Sequence, residues 1–543
     1  MIPQLLTPVS GAFLPSFVVS TLPILTVLVL LGAVRRPAWQ ASLAGLLVGL
    51  IVAVGPWHFP VALALNAVAC GAAFALWPVM WIVFNALLLY NISVESGRFD
   101  AFRDWIVKSL PGDRRVILVI IGFCFSALLE GIAGFGTPVA ITSSLLIMLD
   151  FPALDAVVFT LMFNTAPVAF AALGVPITVL SAVTHLPANV LAATVGRQLP
   201  FFALLLPFYV IAVYGGLKSI RAVWPVLLVA GGSFALTQFL CSNFISYSLT
   251  DVLSSFTSIV TTLLFLKCWH PAPDPQFAID DWDARKQRSS NASLWRASSP
   301  WVIVSLTVII WMTIAMSEHG EMRIPWPGLH NAVSITLYKG LPYAAIWHFQ
   351  PLGTGTAILL AAIITSFVVR LPVAEFFHCV VATLRQIRLA VLTVVLIVGL
   401  AYLMNYSGLT YTIGLGVASV GPLFVLLSPF LGWVSVLLSG SDTSGNALFG
   451  NLQVVAANQL NLNPILLAAT NASGGVMGKM VSPQNLATGM SVTQLQGHEG
   501  AVFARTFPHS IVLTLLLGVL VAIQQYLIPW ISAPNSLAKV LQR

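Results

Sequence analysis

Long runs of apolar residues recur along the chain, separated by short polar stretches. Runs near 14–34, 37–55, 72–92, 200–216, 223–243, 251–267, 300–317, 354–369, 389–404, 417–438 and 508–531 approach the roughly 20 apolar residues that a membrane-spanning helix needs. Two further regions, 116–177 and 439–490, are equally apolar but interspersed with Gly, Pro, Asn, Ser and Thr, so they do not read as simple spans. The pattern predicts an all-α polytopic membrane protein of 12–14 transmembrane segments. The hydrophilic segment 268–299 reads as a solvated connector between an N-terminal half, 1–267, and a C-terminal half, 300–543. Two amphipathic stretches, Phe99 to Leu110 and Val373 to Arg388, each precede an apolar helix that runs into polar, Gly-containing sequence. That arrangement predicts an internal repeat, a common transporter feature. A second register relates Gly131 and Asn164 to Gly440 and Asn471, about 308 residues downstream, and the two registers disagree.

Composition rules out a soluble alternative. Hydrophobic residues make up 58% of the chain, charged residues 8%, and mean hydropathy is +0.95, whereas a soluble surface needs roughly 25–35% charged residues. Most of the surface therefore faces the lipid bilayer. The net charge of +7 comes from basic residues scattered in short loops, which sets topology and does not point to nucleic acid. Arg35 and Arg36, the cluster from Arg98 to Arg115, and the cluster from Lys267 to Arg296 all belong on the cytoplasmic side, which leaves the N-terminus outside. No Lys or Arg precedes Arg35, so the first apolar run reads as a retained span and not a cleavable signal. The five cysteines are widely spaced with no CxxC or Cys/His cluster, so no disulfide, metal or cofactor is expected.

Candidate chemistry lies in four polar interruptions: E-G-I-A-G-F-G-T-P from Glu130, F-N-T-A-P-V from Phe163, S-G-S-D-T-S-G-N from Ser439, and N-A-S-G-G-V-M-G-K-M-V-S-P-Q from Asn471. Non-helical backbone at membrane depth survives only inside protein or beside water. Unwinding frees carbonyls and amides, and the following half-helix points its positive end at the gap, which suits a small anion. Helix packing alone explains one Gly- or Pro-rich segment. Four of them, each with Asn, Ser or Thr beside the break, predict a binding site.

Buried charges sharpen this expectation, because an ionised side chain at bilayer centre costs roughly 2.5–3.5 kcal/mol and by default marks a pathway. Glu130, Asp442 and Lys479 lie in the interruptions, and Arg197 lies at a span entrance in GRQLP. Two acids against two bases sum to zero, so a structural ion-pair network is the competing reading. In the functional reading Lys479 or Arg197 attracts a carboxylate. Glu130 takes a proton, and Asp442 is a second proton site or the partner of Lys479. The substrate-binding candidates are Gly131, Gly134, Gly136, Thr137, Asn164, Thr165, Ser441, Thr443, Ser444, Asn446, Asn471 and Ser473, with Lys479 and Arg197. His185, in THLPAN, reads as a satisfied polar loop residue, and Asp150 and Asp155 read as capping or solvated residues at a span boundary.

At these residues the sequence resembles the bacterial L-lactate permease family. LEGIAGFGTPVAI followed by FNTAPVAFAALGVPI is similar to that family's first signature. GRQLP, SNFI and LFLKCW are similar to its middle, and GSDTSGNALFGNLQ with ATNASGGVMGKMVSPQ to its C-terminal signature. Thr137 stands where a small residue such as Ala is expected, and Gly445 where Ser is common. The resemblance spans nearly the whole chain. It implies proton symport of L-lactate and related 2-hydroxy monocarboxylates (D-lactate, glycolate) across a bacterial inner membrane. It also implies two inverted repeats with re-entrant hairpins.

Two rivals are weighed against this. A sodium-coupled carboxylate or other anion transporter uses the same broken helices, Asn, Ser, Thr and free carbonyls. An intramembrane enzyme lacks support, since there is no HExxH and no paired aspartate or Ser–His constellation at membrane depth. A substrate sensor lacks a sizeable soluble domain to relay its signal.

Overall fold

A computed structural model of the chain describes residues 1–134, 137–279, 282, 293–491 and 499–531. It is overwhelmingly helical. Among the described residues, eight helices are long and apolar enough to cross a bilayer, or up to nine if the bent pair Ala153–Phe163 and Val168–Thr184 forms one span. The hydropathy reading of 12–14 segments is larger for two reasons. The runs 200–216 and 223–243 share one continuous helical stretch, Ala188–Ile245, turned at Gly216. Other apolar runs form helices shorter than a full span, such as Ala38–Val54 with 17 residues and Thr354–Val368 with 15. The amphipathic stretch from Val373 is not a separate surface helix. It continues unbroken into the next apolar run as Val373–Ser407.

All four interruptions break helices. Ser126–Ile132 ends at Ala133, and Gly134 follows with φ of 55°. The pair around Asn164 to Pro167 bends by 65°. Phe424–Ser439 ends at Gly440, whose φ of 70° favours a residue without Cβ. Asp442–Gln459 then restarts, with the Ser441 hydroxyl accepting from the Ser444 amide as its cap. The fourth breaks only near its end: Pro464–Lys479 is continuous up to the lysine, and Pro483–Ser491 restarts after Met480–Ser482. Its glycines serve close packing. A Cβ at Gly474 would collide with the Pro429 carbonyl, and one at Gly478 with the Trp433 carbonyl.

Both membrane faces carry identifiable contacts between distant segments. Ile2–Pro3 pairs in parallel with Val333–Ile335, and Met322–Pro325 pairs antiparallel with Ile346–Phe349, so the 318–353 loop folds over the N-terminus. The connector is not merely solvated where it is described. The Arg114 amide donates to the Phe277 carbonyl, Trp282 Nε1 donates to the Leu110 carbonyl, and buried Arg115 reaches Asp274 at 3.4 Å.

Candidate functional site

The first three breaks and the end of the Pro464–Lys479 helix converge. Glu130 and Lys479, both almost wholly buried, form an ion pair at 2.5 Å between Nζ and Oε1. Asn164, at the C-terminal end of Ala153–Phe163, donates to the other carboxylate oxygen at 2.9 Å. Lys479 lies in the last turn of its helix, where the backbone dipole favours a cation. Taking two charges out of water is expensive unless they pair and fill their hydrogen bonds, and here each does so with the other.

The pair forms one wall of a small cavity. Glu130, Gly134, Ala171, Ala172, Gly440, Ser441, Asp442, Thr443, Lys479 and Gln484 are among its lining residues. Its volume is about 40 Å³, enough for water. Ala172, another lining residue, and Leu173 after it are strained, with φ of 45° and 57°. Left-handed conformations at non-glycine residues cluster at functional sites because they cost about 1–3 kcal/mol each.

Asp442 occupies the first turn of its helix, where free amides favour negative charge. It accepts from Asn446 at 3.2 Å and does not pair with Lys479, and its Oδ1 has no protein donor among the described residues. Gly475 makes room for it, since a Cβ there would strike that Oδ1. Behind it runs an amide chain. Asn471 donates to Asn446 Oδ1 at 2.9 Å, Gln453 donates to Asn471 Oδ1 at 3.4 Å, and Ser428 donates to Gln453 Oε1 at 2.8 Å. The chain fixes how Asn446 presents its amide to Asp442 and to the Pro176 carbonyl.

The expected site residues thus separate into groups. Glu130, Gly134, Ser441, Asp442, Thr443 and Lys479 line the cavity together. Asn164, Asn446 and Asn471 support it from behind, and Ser473 is buried near them on the lysine helix with no hydroxyl partner among the described residues. Thr165 donates to the Met162 carbonyl. Ser444 lines a neighbouring cavity. Arg197 is placed elsewhere: its guanidinium donates to Asn243 Oδ1 at 2.8 Å and to the Ile531 carbonyl. Gly136 lies outside the described residues, and Thr137 enters only as the first residue of Thr137–Met148. Gly131 touches Asp251, a buried acid that the sequence reading passed over, as it did Gln453 and Gln484.

Two larger cavities flank the small one. A cavity of about 330 Å³ shares Ser441 and Gln484 with it and reaches Pro37 and Ala38, beside the Arg35–Arg36 pair. On the other side, a cavity of about 360 Å³ is lined by Thr184, His185, His330, Tyr343 and Asn451. The helices Ala171–Thr184 and Asp442–Gln459 pack together between this cavity and the ion pair. At their contact Gly450 lies against Leu180, Val183 and Thr184.

Comparison with known proteins finds relatives along nearly the whole chain. The chain is 38% identical over 542 residues to the L-lactate permease of Salmonella typhi, covering 96% of this chain and 98% of the relative. It is 38% identical over 553 residues to the glycolate permease GlcA of Escherichia coli K12, with coverages of 96% and 98%. Among solved structures, Neisseria gonorrhoeae MtrF, from a class of antimetabolite efflux pumps, aligns with a TM-score of 0.50 at 11% identity. That alignment covers 93% of this chain and 98% of that one, a likeness of fold alone. The L-lactate permease family model matches residues 16–528, so the chain belongs to the L-lactate permease family, a family of membrane transporters and not of enzymes.

Proposed function

We propose that the protein is a proton-coupled symporter of lactate, glycolate and related 2-hydroxy monocarboxylates in a bacterial inner membrane, with its N-terminus outside. The observation that carries this reading is the buried Lys479–Glu130 pair on the wall of a cavity bordered by Ser441 and Thr443. A substrate carboxylate competes with Glu130 for the Lys479 ammonium, and Ser441 or Thr443 offers a partner to the 2-hydroxyl. Charge explains the coupling. The pair alone is neutral, an entering anion leaves one negative charge in a low-dielectric site, and one proton on the displaced carboxyl restores neutrality. The names of the two permease relatives support the substrate class.

The flanking cavities support alternating access. The central cavity meets the one beside Arg35 and Arg36, while the packing of Leu180, Val183 and Thr184 on Gly450 separates it from the other. With the basic loops inside, this conformation faces the cytoplasm. The pairing of Ile2 with Val333 supports a common outer face for the N-terminus and the 318–353 loop.

Uptake of labelled lactate and glycolate by purified protein in vesicles tests the proposal. Accumulation driven by an acid-outside pH gradient, without sodium, is expected. Accumulation that needs sodium and ignores the pH gradient would replace proton coupling by sodium coupling.

A further inference from the structure

We propose that Asp251 carries the transported proton jointly with Glu130, so that a pair of carboxyls couples proton to anion. This rests on the symport reading above.

Asp251 is almost wholly buried, and neither carboxyl oxygen has a hydrogen-bond partner among the described residues. An orphaned buried acceptor is costly, and more so if charged, so the neutral acid is the form this setting accommodates. A structural role does not account for it. Asp113, the buried structural acid of this chain, binds Arg115 through both oxygens and caps a helix, whereas Asp251 holds nothing in place. Its position ties it to the ion pair. A Cβ built on Gly131 would stand 2.6 Å from the Asp251 Cβ, so Asp251 lies directly on the residue after Glu130. Glu130 and Lys479 are the charged groups whose fields reach it.

Three further titratable groups lie on the elements packed around it, and each is engaged, while Lys218 and Arg221 stand toward the middle of Leu199–Leu240, away from the Leu240 end that leads to Asp251. The Cys241 thiol donates to the Ser246 carbonyl at 3.3 Å. The Tyr247 hydroxyl meets Thr178 at 3.3 Å, and the Cys124 thiol meets Ser258 at 3.2 Å. Asp251 also stands in the first turn of Thr250–Phe265, whose free amides make a transient negative charge tolerable.

Two buried carboxyls whose fields reach each other titrate as a unit. Without substrate, Glu130 is ionised against Lys479 and Asp251 keeps its proton. When a substrate carboxylate takes Lys479, the O–H bond of Asp251 breaks and one forms on Glu130. A proton from the aqueous side then re-forms the Asp251 O–H. One anion and one proton have entered, and the site is neutral before and after.

The test uses the full-length protein in vesicles. In D251N, pH-driven lactate accumulation is expected to fall by about tenfold or more, while lactate–lactate exchange at symmetric pH stays within about threefold of wild type. D251E is expected to restore accumulation, with the protonated-carboxyl infrared band of the substrate-free protein moving from aspartate-labelled to glutamate-labelled protein. If D251N fails to insert, D251E decides by the same band. Wild-type accumulation in a folded D251N, or a band that stays with aspartate in D251E, overturns the proposal. A wild-type protein that ignores the pH gradient would instead overturn the symport reading itself.

Discussion

Neutralising Lys479 and neutralising Glu130 are expected to move lactate affinity in opposite directions. In K479Q the substrate loses its cationic partner inside a nearly dry site. Truncating one member of a buried, hydrogen-bonded charge pair costs about 2–5 kcal/mol, which at 1.4 kcal/mol per decade is about 30- to 3,000-fold in Kd. In E130Q the competitor that holds Lys479 at 2.5 Å becomes a neutral amide, while Asn164 still has an oxygen to donate to. Lactate then finds the ammonium free, so affinity rises and its dependence on pH flattens. Pumping fails, because the displaced group no longer takes a proton. Titration calorimetry on detergent-purified protein at several pH values measures both effects. Stability gives a cross-check. K479Q alone leaves Glu130 buried and unpaired, a loss of about 3–5 kcal/mol, which E130Q/K479Q removes. K479Q binding within threefold of wild type, or E130Q weakening binding as K479Q does, would refute the reasoning.

Other consequences follow from the same packing. G475A drives a methyl group into the Asp442 carboxylate; overpacking of about 1–3 kcal/mol should lower the unfolding temperature and abolish counterflow. N471A strips Asn446 Oδ1 and Gln453 of partners and should cost about 1–3 kcal/mol in denaturant unfolding. The protein packed around His185 pushes it from 6.5 down to about 4, although part of the ring is exposed, and His348 adds to the push. The unfolded chain therefore binds a proton below 6.5 while the folded one does not, so this stability is present above 6.5 and lost as pH falls toward 4. The ring borders the outer cavity, which softens the effect, and H185Q should flatten that acid slope in a pH series of melting curves. In inverted and right-side-out vesicles, S441C should react with an impermeant thiol reagent from the Arg35–Arg36 face, and N451C from the opposite one.

The helical architecture was legible because apolar runs with few charges have one physical solution in lipid. Glu130, Lys479 and Asp442 were legible for the same reason, as charges where charge is costly. Their partners were not. Lys479 reaches Glu130 across 349 positions of sequence, a contact that only tertiary packing determines. Asp442, expected as a second proton site or as that partner, bonds one turn along its own helix and not to the lysine. Arg197 carries the same sequence signal as Lys479, but its helix end faces Asn243 and Ile531. Glycine in ASGGVMGK permits a break or close packing equally well, and the flush contact with Phe424–Ser439 selected packing. Asp251 was missed because an acid at a span entrance reads as a helix cap. Ser254, Ser255, Ser258 and Thr262 follow it on one buried stripe of that helix, and this polar spacing was the available signal.

A structure of the protein with lactate bound tests the central claim most directly. The account predicts the carboxylate at about 2.7–2.9 Å from Lys479 Nζ, the 2-hydroxyl against Ser441 or Thr443, and Glu130 displaced from the lysine. Lactate resting against Arg197 or in the outer cavity, with the Lys479–Glu130 pair intact, would contradict it.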